Sequence, residues 1–432
     1  MPQILTNNFK VYSAQQFVNS VGTNSLYLFI GKPTQWENET NPDTLINNES
    51  QSNEYWSDSI ALKKISVNDV KQVVPRINWV AGTMYNQYDD LTDLTTINFY
   101  VLTSPDLNVY KCITNNNGSM STDRPSGKST SIITTADKYQ WKFLYSLTDT
   151  DLLKFLTDSY MPVNLDPIIS TTTIPGTIDN LIVTNSGINY SNLANLSVSI
   201  SGNGTGARAG QVYLNSANSI NYISVASNGQ NYTYANVTIS GGGGANATAR
   251  AVFSPFKGHG YFPADELNAF YVMVNSRLDY AEGNGDFPTQ NSYRRIGVIA
   301  NPISNSTSTI ATETTLRSSY ELKISNATGT FTLDEIITGG NTNTKGVVLT
   351  SNVVSGNTYV RYVQPNELYS SNAAFVIGET IRGNTSMSSG IVTKIYLPNV
   401  IHNTGKVLYI ENRKQITRTL DQAENIHTVI AF

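Results

Sequence analysis

A mainly β fold with few, short helices follows from three features of the sequence. Segments rich in Val, Ile, Thr, Tyr and Phe recur between Asn, Gly and Ser turn signals, as strands of sheets do. Charged residues make up only 14% of the 432, while Tyr 25, Phe 14 and Trp 4 supply material for a core, so the chain is not of the disordered type. The second half carries two internal repeats, each reading as strand, glycine turn, strand.

Taken in chain order, the first helix is placed at Ser13, where Ser13 and Gln16 fit a capping box ahead of Phe17 and Val21. Strands are expected at Ser25 to Ile30, Ile97 to Leu102 and Tyr139 to Leu147. A short turn over Asn68 to Val73 precedes Pro75, and a second helix runs from Asp149 to Asp158 with Leu152, Leu153, Phe155 and Leu156 as its apolar face. At the end of the chain Ile426, Thr428, Ile430 and Phe432 alternate with His427, Val429 and Ala431, which predicts a closing strand after a polar turn over Thr419 to Asn425. The length suits two to four domains, at roughly 100 to 200 residues each.

Both repeats come in two copies. Leu181 to Ala209 returns as Ile223 to Ala251, which pairs Gly187 with Gly229 and Tyr190 with Tyr232. Phe331 onward (FTLDEIITGGNTNTKGVV) returns from Phe375 (FVIGETIRGNTSMSSGIV), which pairs Glu335 with Glu379, Gly339 with Gly383 and Gly346 with Gly390. Two copies are fewer than a self-supporting solenoid needs, so each pair is expected to dock on a larger core.

Several kinds of chemistry find little footing. Cys112 is the single cysteine, which excludes an internal disulfide or a multi-thiolate metal site, and His259, His402 and His427 show no ligand spacing. Neither a metal nor a cofactor is expected. No apolar run approaches the roughly 18 residues that span a bilayer, and MPQILTNNFK lacks the pattern of a secretory signal. A formal charge of -4 without a Lys/Arg stripe gives no footprint for nucleic acid. Ser126-Gly127-Lys128-Ser129 has the tail of a phosphate-binding loop, but Thr122 stands where its first glycine belongs. Asp89, Asp90 and Asp93 lack the spacing of a calcium loop and read as a solvated loop; His259 between Gly258 and Gly260 reads as a turn.

Six longer segments appear in a fixed order: Phe17 to Trp36, Val73 to Asp90, Asn98 to Ile113, Tyr139 to Leu147, Phe287 to Pro302 and Val407 to Phe432. Together, over about half of the chain, they resemble the baseplate wedge subunit of T-even-type contractile-tailed phages, the gene product eight family. The resemblance implies a β-sandwich core and a non-enzymatic structural subunit, found in the tail baseplate of a virion assembled in the host cytoplasm. It implies a homodimer that binds other wedge proteins and rearranges when the tail contracts.

Both repeat pairs fall between the resembling segments, as insertions would in a cyanophage-type member. The implied organisation is one discontinuous core, 1–175 with 252–311 and 398–432, carrying inserted β modules at 176–251 and 312–397. Pro75, Arg76 and Trp79, then Arg294, Arg295 and Arg413, are the candidate anchors. Proline fixes chain direction, tryptophan offers a large apolar surface, and arginine makes forked hydrogen bonds, either across an interface or within the subunit's own fold. Of Arg294 and Arg295, one is expected to pair internally and the other outward. The rival reading is a receptor- or glycan-binding tail protein, which the Tyr- and Asn-rich composition suits; a polysaccharide-degrading β-helix enzyme is a third.

Overall fold

The computed structural model describes residues 3–279, 285–368, 374–420 and 423–432. Strand accounts for 43% of the chain and helix for 12%, so the fold is mainly β with several sheets and few short helices. The chain divides into two units: Met1–Gln15, Lys71–Val272 and Ala431–Phe432 form one, and Gln16–Val70 with Met273–Ile430 form the other. Residues assigned from sequence to one discontinuous core therefore fall in both units. Among the described residues no helix is long and apolar enough to cross a membrane.

In the first unit, Tyr100–Leu102, Asn108–Thr114, Gln140–Ser146 and Ile133–Thr134 form a four-stranded antiparallel sheet in that order. Its side chains divide between two apolar clusters. Tyr85, Tyr110, Tyr139, Trp141 and Phe143 pack into one; Phe99, Tyr100, Val109, Leu144 and Tyr145 pack into the other together with Val252 and Leu267. Alternation along each strand sends successive side chains to opposite faces, so both faces of this sheet are covered.

The first repeat also lies in this unit and forms a six-stranded sheet. Its two copies interlock. The first strand of the first copy, Ile178–Ile188, pairs with the last strand of the second, Ala245–Phe253; Ile220–Gln230 pairs in turn with Thr205–Leu214, and the two middle strands, Ser197–Gly202 and Ala235–Ser240, pair with each other. Gly187 and Gly229, at φ +62 each, sit where an added Cβ would meet backbone 2.5 Å and 2.4 Å away. Tyr190 and Tyr232 plug the two equivalent sites, and each hydroxyl accepts a backbone N–H at 3.3 Å, from Ala247 and Ala207. The repeat is thus one reciprocal unit and not two separate β modules.

In the second unit, a five-stranded sheet runs in the order Thr315–Arg317, Ser59–Lys64, Leu26–Gly31, Ser292–Ala300, Lys406–Thr417. Thr315–Arg317, placed by sequence in the second inserted module, is an edge strand of this sheet. The second repeat closes a six-stranded barrel from Tyr320–Ser325 to Ser389–Tyr396. Here the reciprocity is polar. Glu335 accepts the backbone N–H groups of Thr385 (3.0 Å) and Ser386 (2.9 Å) from the other copy, and Glu379 accepts those of Asn341 (3.3 Å) and Thr342 (3.2 Å). Gly339 and Gly383 leave room for these carboxylates, because a Cβ at either would lie 2.5 Å from a carboxylate oxygen. The recurring glutamate and glycine are two halves of one turn-capping device.

Other local expectations are revised. The first helix spans Asn7–Ser20; Thr6 Oγ1 accepts from Phe9 N at 3.3 Å, while Ser13 lies inside the helix and bonds back to Phe9 O at 2.9 Å. A local hydroxyl-to-backbone bond of this kind is open to any mid-helix serine, which is why it imitated a cap in the sequence. The turn expected over Asn68 to Val73 is a single 3-10 turn, Val67–Asp69, followed by the strand Val70–Pro75. The second helix stops at Lys154, and its start carries a capping box between Thr148 and Asp151. The strand expected from Ile97 begins at Tyr100. The closing strand is Glu424–Ala431, with Ile426 and Thr428 buried; positions 421 and 422 of the turn expected before it lie outside the described residues.

Candidate functional site

The aromatic strands Asn108–Thr114 and Gln140–Ser146 each carry one lysine, Lys111 and Lys142, and the register sets the two directly opposite each other. Opposed side chains of an antiparallel pair point to the same face about 5 Å apart, and like charges there repel. Both lysines are nevertheless buried, Lys111 completely and Lys142 to 6% exposure. A buried ammonium needs a counter-charge and hydrogen-bond acceptors, and the two lysines meet this demand differently.

Lys111 is neutralised within the protein. Its Nζ lies 2.8 Å from Glu266 Oε1 and 3.4 Å above the Tyr88 ring. Glu266 ends the short helix Pro263–Glu266, and its other oxygen accepts the Gly260 N–H at 2.6 Å. His259 fits between two carboxylates, with Nδ1 2.8 Å from Glu266 Oε1 and Nε2 2.6 Å from Asp179 Oδ2. Asp179 comes from the first repeat strand, and its second oxygen accepts from Thr177 Oγ1 at 2.8 Å. Nδ1 also lies 3.2 Å from Lys111 Nζ, so the ring sits among two carboxylates and an ammonium, with Nε2 on Asp179 and Nδ1 shared between Glu266 and Lys111. The turn read from Gly258-His259-Gly260 is therefore the centre of a buried ionic chain.

The electrostatics follow from burial and pairing. Burial pushes the Lys111 pKa down, against the pull of Glu266. Burial alone would raise the Glu266 carboxyl, but Lys111 and His259 hold it down at about 2. For His259, burial and the neighbouring Lys111 charge work against protonation, yet Asp179 and the Glu266 hydrogen bond prevail and its pKa is raised.

Lys142 is different. Its Nζ donates to the carbonyl of Thr130, and among the described residues no carboxylate lies within ion-pair distance of it. Burial lowers its pKa, with Glu266 and Asp179 acting in the opposite sense from farther off. Lys142, Asp179 and His259 all line a cavity of about 610 Å³ in the first unit. The rest of its wall is largely hydroxyl and amide, including Thr130, Thr177, Thr205, Ser227, Asn228 and Gln230.

None of the six anchors expected from sequence lines this cavity. In the first unit Pro75 ends a strand and is exposed, Arg76 Nη1 donates to Thr157 O at 3.0 Å, and the half-buried Trp79 donates from Nε1 to Ser121 Oγ at 3.1 Å. In the second unit Arg294 and Arg295 both pair internally, so the expectation that one points outward is corrected. Arg294 Nε lies 2.7 Å from Glu39, and Arg295 Nη1 lies 2.7 Å from Asp58 while its guanidinium covers the Tyr55 ring at 4.7 Å. Arg413 holds Glu411 at 2.8 Å, and its carbonyl accepts from Trp36 Nε1 at 2.8 Å.

The acidic loop is exposed at Asp90 and Asp93, as a solvated loop would be, and is pinned locally: Asp89 and Asp90 pair with Arg250 at 2.5 Å and 3.3 Å, and Asp93 caps a turn through Thr95 N at 3.1 Å. Among the described residues no group of three or more His, Cys, Asp or Glu is disposed to hold a metal ion. No family model matches the chain, and no curated protein matches it.

Proposed function

We propose that this protein is a structural subunit of the baseplate wedge of a contractile phage tail, which binds itself and other wedge subunits and rearranges when the tail contracts. The observation that carries this reading is the order of the six resembling segments along the chain, from Phe17 to Phe432. Supporting it, those segments supply both inner strands, such as Leu26–Gly31 and Gln140–Ser146, and edge strands, such as Lys406–Thr417, of sheets in both units, and their arginines hold loops and strand ends. Such use suits a load-transmitting subunit, since forked arginine contacts fix geometry more than they add stability.

Exposed apolar side chains on the first helix support self-association. Phe9 and Tyr12, one helical turn apart, are 53% and 60% exposed, and Ile4 and Leu5 beside them are exposed as well. The dimer needs no covalent link, because Cys112 is fully buried and burial pushes its thiol pKa well up. An antibody to this chain, applied to purified contractile tails and viewed by electron microscopy, tests the reading. Label is expected at the distal baseplate of extended and contracted tails alike. Label on the sheath or fibre tips, or none on intact tails, overturns it.

A further inference from the structure

The cross-strand lysine pair leaves one buried ammonium, Lys142, without a carboxylate at ion-pair distance among the described residues. Lys111, Glu266, His259 and Asp179 are committed to one another. Among the described residues Lys142 hydrogen-bonds only to the carbonyl of Thr130, and it lines the cavity. A buried ammonium opposite a second lysine breaks two local rules at once, and such breaches concentrate where a protein binds or reacts.

The wall says what kind of anion would fit. Hydroxyl and amide groups, which both donate and accept, line the space together with Ile132 and Ile174, and among the described residues no Phe, Tyr or Trp side chain lines it. Thr177 and Asn228 already donate to Asp179 and to the Ile178 carbonyl, but their acceptor atoms and the side chains of Thr205, Ser227 and Gln230 can be matched by a polyhydroxylated carboxylate and not by a bare apolar one. The volume of about 610 Å³ exceeds that of one sugar ring and lies within the range of small-ligand pockets. We infer that this cavity binds an acidic saccharide, with a uronate-type carboxylate seated on Lys142 and the sugar hydroxyls on the Thr, Ser, Asn and Gln wall.

This site is independent of the baseplate reading, since it rests on geometry within the first unit alone. The test is calorimetric titration of the full chain with trigalacturonate, with maltotriose as the neutral trisaccharide and inorganic phosphate as the bare anion. Trigalacturonate is expected to bind at least about tenfold more tightly than maltotriose, the size of one hydrogen-bonded charge, and phosphate only weakly. Lys142→Met should bring the two trisaccharides to within about threefold of each other.

A second variant guards against misfolding. Gln230→Glu changes an exposed side chain at the rim, so it should fold normally and weaken trigalacturonate binding by a much larger factor than maltotriose binding, because only the former meets the added charge. Equal affinity for the two trisaccharides, binding of phosphate alone, no binding of any of the three, or a preference unaltered in folded Gln230→Glu protein would each overturn the assignment.

Discussion

In the six-stranded sheet of the first repeat, the equivalent positions Tyr190 and Tyr232 close each end with a ring and a hydroxyl; in the barrel of the second repeat, Glu335 and Glu379 do so with carboxylates. Both arrangements let two copies suffice where a solenoid needs three, because each copy completes the other and not a third neighbour. They differ in how they are held. The barrel encloses its own core of Leu322, Ile324, Ile337, Val348, Val360 and Val392, and Arg317 ties its start to its end by donating to Ser319 O and Leu397 O. Strands of the first repeat leave many side chains half exposed, and their fixed points lie in the rest of that unit: Asp179 on His259, Arg250 on Asp89 and Asp90, and Val252 in the neighbouring apolar cluster. Each repeat keeps an apolar cluster of its own and is tied to its unit, the barrel through bonds such as Arg361 to the Gly285 carbonyl and the first repeat through ion pairs.

Excision breaks the comparison most severely. Replacing 320–396 by a short Gly-Ser bridge should leave a soluble protein with a cooperative thermal transition, because the ends held by Arg317 are close. Replacing 178–252 should give an insoluble or molten product, because it removes Asp179, Arg250 and Val252 together. Equal tolerance of both deletions, read by circular dichroism melting, would remove the distinction.

Next in size is the cost of unpairing a buried ion. Lys111→Met leaves Glu266 and His259 without their balance and should destabilise by about 3 to 5 kcal/mol in urea unfolding. Lys142→Met removes a buried ammonium that has no carboxylate partner and should cost less than about 1 kcal/mol or stabilise the fold. Equal losses from the two would mean that they are equivalent members of one network.

Within the barrel, Glu335→Gln and Glu379→Gln should each cost about 2 to 3 kcal/mol, since an amide nitrogen would then face backbone N–H donors. Near-equal losses are expected from the reciprocal geometry. A loss confined to one of them would show that the copies are not equivalent.

The smallest effect is that of pH on the first unit. Lys111, Asp179 and Tyr88 surround the His259 and Glu266 pair. Glu266 has a depressed folded pKa, so its contribution is present above the ordinary carboxyl value of 4.5 and is lost as pH falls toward about 2. His259 has a raised folded pKa, so its contribution is complete below the ordinary imidazole value and is lost as pH rises through the raised one. A melting temperature that falls on both sides of mildly acidic pH in wild type, and that is flatter in His259→Gln, is the expected pattern.

Much of the fold was legible in the sequence because strands and repeats are local patterns. The alternation in YQWKFLYSL placed one aromatic strand, while its partner over Asn108–Thr114 was not expected, and the repeated glycines and glutamates marked two modules. That Glu335 caps the other copy's turn was not legible, since spacing along the chain does not say which copy a side chain reaches. The ionic chain was hidden for a similar reason: Lys111 and Glu266 lie 155 positions apart, and Asp179 and His259 lie 80 apart. One signal was present, a single lysine in the middle of each aromatic strand, where an all-polar or all-apolar face would be ordinary.

Hydrogen exchange followed by mass spectrometry on the full chain carrying Lys111→Met tests the central distinction most directly. The account predicts that amides of 178–253 lose protection together with those of 100–146, while amides of 320–396 exchange as in wild type. Undiminished protection in 178–253, or an equal loss in 320–396, would contradict it.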